Sequence, residues 1–272
     1  MHLQNVLLHK LQDQDYGLIS RIIERFISNY VAKKSPAKGL VIGLSGGLDS
    51  SVVLKLSVNA LGPRNVFGLV MPGTATSKED VNHAIEIAEA AGVKHKIIDL
   101  DPIIAKFAEA LPDDDRKARG NLAARVRMSI LHYHAFLQNY LVAGTGDKSE
   151  YYIGYFTKYG DGGVDILPIA DLYKTQVRTL ARFLGVPSTI VEKKSSPQLW
   201  NNHLAEEEIG MDYEMVDSIL YLLIDRKIMN QKEIAKKLHI PVEQVARIKE
   251  MVDRSAHKRR TPEIAYVTNA KK

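Results

Sequence analysis

Short apolar runs alternate with longer amphipathic stretches over the first two thirds of the chain. Five strands are expected, near residues 39 to 44, 65 to 71, 94 to 99, 140 to 144 and 166 to 169. The stretches between them are long enough for crossover helices, so the pattern predicts strands that run in parallel. We therefore expect an α/β fold, a Rossmann-like doubly wound parallel five-stranded sheet with flanking helices.

The amphipathic stretches predict where helices begin and which faces they bury. From Tyr16 to Lys33 the apolar residues have helical spacing and are expected to pack, namely Leu18, Ile19, Ile22, Ile23, Phe26 and Ile27. Thr76 or Ser77 is expected to cap a helix that ends near Gly92. After residue 187 the pattern becomes helical, which predicts one domain with an α/β core at about 38–186 and a helical C-terminal part at about 187–272.

One charged segment does not fit the core. The residues from Pro112 to Gly120 include six charged side chains, three acidic residues in a row and then Arg116, Lys117 and Arg119. Such a segment is expected to be a mobile loop at the mouth of the site, and a merely solvated loop is an equal alternative.

Composition limits the classes of protein. No apolar run approaches the roughly 20 residues of a membrane span, and the first residues do not open a signal peptide, so a soluble cytoplasmic protein is expected. A net charge of +5 suits nucleic acid and a polyphosphate substrate equally well. The chain has no cysteine, which excludes disulfides, thiolate metal sites and a cysteine glutaminase domain on this chain.

The most informative segment joins an apolar strand to a helix through a glycine-rich turn, from Leu40 to Ser51. Gly46 and Gly47 can take positive φ, so backbone N–H groups can close on a phosphate at a helix N-terminus, and the hydroxyls of Ser45 and Ser50 add donors. The Asp49 carboxylate would repel phosphate oxygens unless a divalent cation lay between them. The turn therefore predicts a phosphate site with magnesium.

Other interpretations of this turn differ in what they explain. Neither a Walker loop nor a dinucleotide fingerprint is present. Residues 43–47 satisfy Gly-x-Ser-x-Gly, the hydrolase nucleophile elbow, which would make Ser45 a nucleophile but leaves Asp49 and Ser50 unexplained. A glycine-rich turn without a ligand is the plainest alternative, yet a chance match to Ser-Gly-Gly-x-Asp-Ser in such a chain is below about one in a thousand.

The turn resembles the PP-loop of the N-type ATP pyrophosphatases, which cleave ATP between the α and β phosphates. Within that group the chain is similar to the ammonia-dependent NAD synthetases, from the PP-loop almost to the C-terminus. The matching motifs are Gly120-Asn121-Leu122-Ala123-Ala124-Arg125, Gly144-Thr145-Gly146-Asp147-Lys148-Ser149-Glu150, Gly154-Tyr155-Phe156-Thr157-Lys158-Tyr159-Gly160-Asp161-Gly162-Gly163, Leu172-Tyr173-Lys174-Thr175-Gln176-Val177 and His257-Lys258-Arg259.

The resemblance implies roles for the matching positions. ATP would be bound by Gly43, Leu44, Ser45, Gly46, Gly47, Leu48, Asp49, Ser50, Thr145, Lys174 and Ser196. Magnesium would be held by Asp49 and Glu150, and deamido-NAD would be contacted by Arg125, Lys158, Asp165, His257 and Lys258. The catalytic groups would be Asp49, Lys174 and Lys258.

The resemblance also implies a homodimer, because in similar enzymes the dinucleotide lies across a dimer interface. That interface would use the helices around residues 121 to 139, where Val126, Ile130, Leu131 and Phe136 could serve the core of one subunit equally well.

The chemistry implied by the resemblance proceeds through an acyl adenylate. The nicotinate carboxylate of deamido-NAD attacks the α-phosphorus of ATP and expels pyrophosphate, and ammonia then attacks the acyl carbon and releases AMP. Magnesium with Lys174 and Lys258 would neutralise charge on the leaving group, and no protein nucleophile is needed.

One segment departs from the family. Similar enzymes usually carry Gln-Thr-Asp-Glu before Leu-Gly, whereas residues 203–206 of this chain are His-Leu-Ala-Glu. A carboxylate at position 205 could favour ammonium binding and help to remove its proton, so Ala205 raises the question of which group does so. Glu206 and Glu207 are the alternatives at this stage.

Two competing functions stay open from the sequence. Residues 230–248 have the apolar spacing of a helix-turn-helix, although Val242, Glu243 and Gln244 would start the recognition helix and only one of them suits a base edge. Other PP-loop enzymes, such as the lysidine and GMP synthetases, would share the loop but would not explain residues 156–163. The cysteine chemistry of thiouridine synthases is excluded.

Overall fold

Four parallel strands form the sheet at the centre of the fold, which a computed structural model describes over residues 3–111, 115–200 and 203–267. The strands are β1 (Leu40–Gly43), β2 (Val66–Val70), β3 (Lys94–Ile97) and β4 (Leu141–Ala143), in the order β3-β2-β1-β4. Leu40 of β1 pairs with Val66 of β2 on one side and with Leu141 of β4 on the other. The chain therefore reverses its direction of winding between β1 and β4, the place where α/β sheets bind ligands.

The predicted doubly wound parallel class is confirmed, but the predicted fifth strand is wrong. Near residues 166 to 169 only Ile166 pairs, through a single bridge to Ala143 in which Gly144 N donates to Ile166 O at 2.9 Å. Pro168 has no N–H to continue a ladder, and the chain turns at once, with Leu172 N donating to Ile169 O.

Thirteen α-helices lie in the described part of the chain. They are α1 (Leu3–Gln12), α2 (Tyr16–Asn29), α3 (Leu48–Leu61), α4 (Lys78–Ala90), α5 (Asp101–Ala110), α6 (Arg116–Gln138), α7 (Lys148–Ile153), α8 (Lys174–Phe183), α9 (Ser188–Val191), α10 (Ala205–Ile209), α11 (Tyr213–Leu220), α12 (Gln231–Leu238) and α13 (Val242–Arg254). Ser77 caps α4 as predicted, since its side chain accepts from Asp80 N.

Helices cover both faces of the sheet. On one face, residues of α2, α3, α4, α8 and α9 form a core with β1 and β2, with Ile27, Leu56 and Leu180 fully buried. On the other face, α5 and α6 pack on Val41, Leu69 and Val142. Strands β1, β2 and β4 are largely buried between these helices and are apolar without alternation, whereas β3, at the edge of the sheet, is Lys-His-Lys-Ile and mostly exposed.

A second core holds the C-terminal helices together. Residues of α7, α10, α11, α12 and α13 contribute to it, with Leu11 of α1. Ile234, Val245 and Ile248, whose spacing suggested a helix-turn-helix, are fully buried in this core. The two helices thus close the fold with their apolar faces.

The charged segment that was expected to be a loop is mostly helical. Asp115 caps α6 by accepting from Ala118 N at 2.7 Å, and Gly120 packs so closely on Leu199 that a Cβ there would lie 2.9 Å from it. Capping and packing therefore override the polarity of residues 116–120. Residues 112–114 of the expected loop lie outside the described residues.

Several large apolar side chains remain exposed. Phe136, Tyr133 and Leu137 form a patch at the end of α6, and the Phe136 side chain is 87% exposed. On α2 the predicted helix is present, but Leu18, Ile22 and Phe26 of its apolar set are exposed. No helix in the described ranges is both long and apolar enough to cross a membrane.

Candidate active site

The glycine-rich turn forms an open helix N-terminus at the end of β1. Gly46 has φ +73°, and a Cβ on it would lie 2.0 Å from the carbonyl oxygen of Asp80, so only glycine fits. Gly47, expected to take positive φ as well, is extended with φ −97° and is the N-cap of α3. No side chain caps that helix among the described residues, which leaves its first N–H groups available to an anion.

The two serines of the turn bond to the turn itself. Ser50 Oγ donates to Gly47 O at 3.1 Å and accepts from Ser45 N, while Ser45 Oγ accepts from Gly47 N at 3.2 Å. Within the part of the chain that the structure describes, no histidine contacts Ser45. The base that a nucleophile elbow requires is therefore missing, and the elbow interpretation has no support.

A cavity of about 470 Å³ opens above this turn, between the ends of β1, β2 and β4. Eleven of the predicted site residues line it, and these are Gly43, Leu44, Ser45, Gly47, Leu48, Asp49, Ser50, Thr145, Glu150, Ser196 and Lys258. A cavity of this volume and polarity is typical of a cofactor or substrate site.

Three carboxylates meet one ammonium at the floor of this cavity. Lys174 Nζ lies 2.7 Å from Asp49 Oδ2, 2.7 Å from Asp147 Oδ2 and 2.8 Å from Glu150 Oε1. Ligand atoms of the three acids all lie within 4.8 Å of one another. Asp147, which we did not assign to the site from the sequence, also forms a capping box with Glu150 at the start of α7.

The charges in this cluster shift one another's pKa. Burial alone would lower the pKa of Lys174, but Asp147, Asp49 and Glu150 outweigh it and raise that pKa well above its ordinary value. Burial, and next the charge of Asp147, raise the pKa of Glu150. Lys174 is thus a permanent cation, whereas the three acids are more than one ammonium can neutralise.

The cluster fits a divalent cation. Asp49 Oδ1 is buried and has no hydrogen-bond partner among the described residues, so one carboxylate oxygen is left without a counterpart. Carboxylate oxygens are the ligands that Mg²⁺ prefers, and the excess negative charge at this point would favour it. Asp49 and Glu150, predicted to hold the metal, are both in place to do so.

A buried network that the sequence did not reveal fixes the start of α8. Lys174 N donates to Ser149 Oγ at 2.9 Å, and Thr175 N donates to Asp217 Oδ2 at 2.9 Å. Ser149 Oγ in turn donates to Asp217 Oδ1 at 2.5 Å. Asp217 belongs to α11 and is fully buried, and burial raises its pKa to about 7. The signal in the sequence was an acid, Asp217, within the mostly apolar residues 215–220 of α11.

Four of the residues predicted to contact deamido-NAD come together around residues 154–158, and Lys258 is the one of the four that lines the cavity. Lys258 Nζ donates to the carbonyl oxygens of residues 154 and 156 at 2.7 Å each, and burial lowers its pKa despite the charge of Asp161. Lys158 Nζ donates to His257 O at 2.9 Å, and Arg125 donates to Lys158 O at 3.4 Å.

Asp165 is the predicted substrate residue that lies apart. Its carboxylate accepts from Val142 N at 2.7 Å, at the edge of β4, and it does not line the cavity. Asp165 thus supplies a hydrogen-bond acceptor to the edge of β4, where a fifth strand would otherwise have paired.

The segment around Ala205 presents a different acid to the cavity from those expected. Ala205 is buried in the cavity wall, and Glu206 Oε1 accepts from Tyr213 N at 3.2 Å. Glu208 lines the cavity instead, accepting from Tyr155 OH at 2.9 Å and lying 2.8 Å from His203 Nε2. Burial acts to raise the pKa of Glu208, but the hydrogen bonds from His203 and Tyr155 outweigh burial and lower this pKa. Glu208 is therefore a carboxylate that stays charged.

Comparison with known proteins identifies the family of the chain. The family model described as NAD synthase matches residues 19–262. The NH(3)-dependent NAD(+) synthetase of Hyperthermus butylicus is 52% identical over 94% of this chain and 93% of its own length. The protein of the same description from Sulfolobus acidocaldarius is 48% identical over 92% of this chain and 89% of its own.

Solved structures agree as well. An NMN synthetase from Francisella tularensis has a TM-score of 0.82 at 32% identity, over 93% of this chain and 99% of its own. An NH3-dependent NAD synthetase from Campylobacter jejuni has a TM-score of 0.80 at 30% identity, over 93% of this chain and 100% of its own. With the PP-loop, the acid cluster and these likenesses together, the chain belongs to the NAD synthase family.

Proposed function

We propose that this protein is an ammonia-dependent ligase that makes NAD from deamido-NAD, ATP and ammonia and releases AMP and pyrophosphate. One observation carries the proposal, namely the cluster of Asp49, Glu150 and Lys174 beside the open N-terminus of α3. A helix N-terminus binds phosphate, and the cluster supplies both a cation and ligands for a second cation at the same point. These are the requirements of phosphoryl chemistry at ATP.

ATP would lie with its phosphates on the PP-loop. The backbone of residues 43–50 would cradle them, and Thr145 and Ser196 would contact the nucleotide from the cavity wall. Lys174 is fully buried behind Asp49 and Glu150 and does not line the cavity, so it would act on the phosphates through its charge. Mg²⁺ held by Asp49 and Glu150 would neutralise the charge that develops on the leaving pyrophosphate.

The protein would act by positioning and by electrostatics. Lys158, Arg125, His257 and Lys258 form a group of cations and carbonyls at one end of the cavity, and they would hold deamido-NAD so that its nicotinate carboxylate faces the α-phosphorus. The carboxylate oxygen forms a bond to phosphorus as the bond to pyrophosphate breaks, which gives the acyl adenylate. Lys174 and Lys258 would stabilise this step without forming a covalent bond.

Ammonia would complete the reaction. Its lone pair forms the bond to the acyl carbon, AMP leaves, and a proton is lost from nitrogen. The carboxylate of Glu208 lies in the cavity wall where Ala205 offers no acid, so we assign to Glu208 the binding of ammonium at this point. Glu206, whose carboxylate caps Tyr213, is less suited.

We further propose that the whole chain acts as a single synthetase domain and as a homodimer. Phe136 and its neighbours at the end of α6 supply an apolar patch within the segment expected to form the interface, while Val126 serves the core of the subunit. Patches of this kind mark protein interfaces. Asp165 is exposed and does not line the cavity of its own subunit, so it would contact substrate only across a subunit interface.

The decisive assay mixes the purified protein with Mg-ATP, deamido-NAD and an ammonium salt. We expect NAD, AMP and pyrophosphate in equal amounts. Because one solved relative is named an NMN synthetase, a parallel assay replaces deamido-NAD by nicotinate mononucleotide. A higher kcat/KM for the mononucleotide would change the substrate assignment, and ADP with phosphate as products would overturn the proposal altogether.

A further inference from the structure

A lysine at the phosphate end of the cavity has no role in the mechanism above. Lys193 follows α9 and lines the cavity, and its Nζ lies 2.5 Å from Asp80 Oδ1. The Lys193 side chain is 28% exposed, whereas that of Asp80 is 8% exposed. The pair therefore presents its cation, and not its carboxylate, to the open cavity.

Asp80 is fixed rigidly against the PP-loop. Its Oδ2 accepts from Ser77 Oγ at 2.6 Å, and its own N–H donates to the same hydroxyl at 3.0 Å. Its carbonyl oxygen packs against Gly46, where a Cβ would lie 2.0 Å away. Because Asp80 touches the turn directly, the Lys193 ammonium that it holds lies at the edge of the phosphate cradle.

The segment that carries Lys193 also meets the PP-loop at a second point. Gln198 Nε2 donates to Ser45 O at 3.5 Å, five residues after Lys193. Ser196, between these two contacts, lines the cavity. Residues 193–198 thus run across the phosphate end of the site, held to the turn at both ends.

Its hydrogen-bond partners distinguish Lys193 from Lys174 and Lys258, the two lysines proposed to stabilise the chemical step. Lys174 is shared by three carboxylates, and Lys258 donates to two carbonyl oxygens at 2.7 Å each. Among the described residues Lys193 Nζ has one close acceptor, Asp80, with Glu79 at 3.9 Å, and an ammonium has three N–H donors. It can therefore donate to phosphate oxygens while Asp80 still holds it.

We propose that Lys193 binds the β and γ phosphates of ATP and the pyrophosphate that they become, with Asp80 as its positioning residue. The proposal rests on the proposed function, since it assigns a ligand within the same site. Lys193 faces the leaving group. Its charge therefore stabilises pyrophosphate while the bond to the α-phosphorus breaks, and also afterwards while pyrophosphate is still bound as a product. AMP, at the other side of the broken bond, gains nothing from this contact.

Binding of inorganic pyrophosphate with magnesium, measured by calorimetry on the full chain without turnover, tests the proposal. Lys193→Met should weaken pyrophosphate binding about tenfold to a hundredfold, the loss expected for one charge-assisted hydrogen bond, and leave AMP binding unchanged. Lys193→Arg should restore most of the affinity. Lys78→Met is the matched control, because it removes the same charge from an exposed position two residues before Asp80 that does not line the cavity, and it should leave pyrophosphate binding near that of the unchanged chain.

Asp80→Asn supplies a second arm. Asp80→Asn should weaken pyrophosphate binding less than Lys193→Met does. In the double variant Asp80→Asn should add no further loss to that of Lys193→Met, because both substitutions act through the Lys193 ammonium. Pyrophosphate affinity that is unchanged in Lys193→Met would overturn the proposal, as would equal losses of AMP and pyrophosphate affinity. Products other than AMP and pyrophosphate in the turnover assay would instead overturn the proposed function, so the two failures are distinguishable.

Discussion

Asp49 joins the PP-loop to the acid cluster, and its carboxylate has two distinct surroundings. One oxygen is paired with Lys174 at 2.7 Å, and the other is buried without a partner among the described residues. Asp49→Asn keeps the shape but removes the charge that a divalent cation needs. We expect pyrophosphate release at saturating magnesium to fall more than about a hundredfold, on the scale of one lost electrostatic stabiliser. Near-normal release by a folded variant would contradict the assigned role.

The two glycines of the turn are expected to respond differently to the same substitution. In Gly46→Ala the new Cβ meets the Asp80 carbonyl at 2.0 Å on a backbone with φ +73°, so we expect a loss of at least about 2 kcal/mol in the free energy of unfolding. In Gly47→Ala the Cβ meets only Ser45 Oγ at 3.2 Å on extended backbone, so the loss should stay within about 1 kcal/mol. Urea unfolding compares the two variants, and equal losses would contradict the difference in strain.

At the residue scale, the sequence predicted site residues that lie in one local motif, and it missed pairs of residues that are distant in sequence and meet only in the fold. Asp49 stands in a fixed pattern with its neighbours, so its place beside a phosphate site could be predicted. Lys193 is 113 residues from Asp80, and Asp217 is 68 residues from Ser149, and no local pattern relates them. Such partners become visible only when packing sets which side chains meet.

Among the elements, the joint between α8 and α11 gives the clearest pH dependence. Burial raises the pKa of Asp217 to about 7, against about 3.9 in an unfolded chain. Between these values the folded protein keeps a proton that the unfolded chain has lost, so stability falls as pH rises through this window. Relative to Asp217→Asn, the unchanged protein should lose up to about 1.4 kcal/mol per pH unit between about pH 4 and pH 7.

Unfolding in urea at several pH values measures this difference. Other titrating groups are common to both proteins and cancel in the comparison, so the slope of the difference reports on Asp217 alone. If the free energies of unfolding of the two proteins change in parallel between about pH 4 and pH 7, Asp217 is ionised in the folded protein and the prediction is wrong.

At the scale of elements, the sequence predicted what hydrophobic pattern controls. Strands β1, β2 and β4 lie in apolar runs where strands were predicted, the polar edge strand β3 lies at its predicted place as well, and Ser77 caps α4 as its spacing indicated. The prediction of a fifth strand was wrong because Pro168 cannot continue the ladder, which leaves Ile166 with a single bridge. The start of α6 was missed because Asp115 provides a cap that the surrounding charges concealed.

For the whole molecule, family likeness supports the reaction but leaves the assembly to be tested. The proposed dimer would bury the patch at the end of α6, where Phe136 is 87% exposed. Buried aromatic residues often dominate an interface, so placing a charge there should weaken association at least about tenfold. Phe136→Glu should therefore behave as a monomer in light scattering at concentrations where the unchanged protein is a dimer.

Met229→Glu is the matched control, because Met229 is 65% exposed in the connection before α12 and lies outside the proposed interface. It should leave the mass in solution unchanged. If each site needs residues from two subunits, the activity of Phe136→Glu should also fall on dilution faster than that of the control, since fewer sites are then complete. A dimer that persists in Phe136→Glu would move the interface away from α6, and the exposed side chains Leu18, Ile22 and Phe26 of α2 would be the next surface to test.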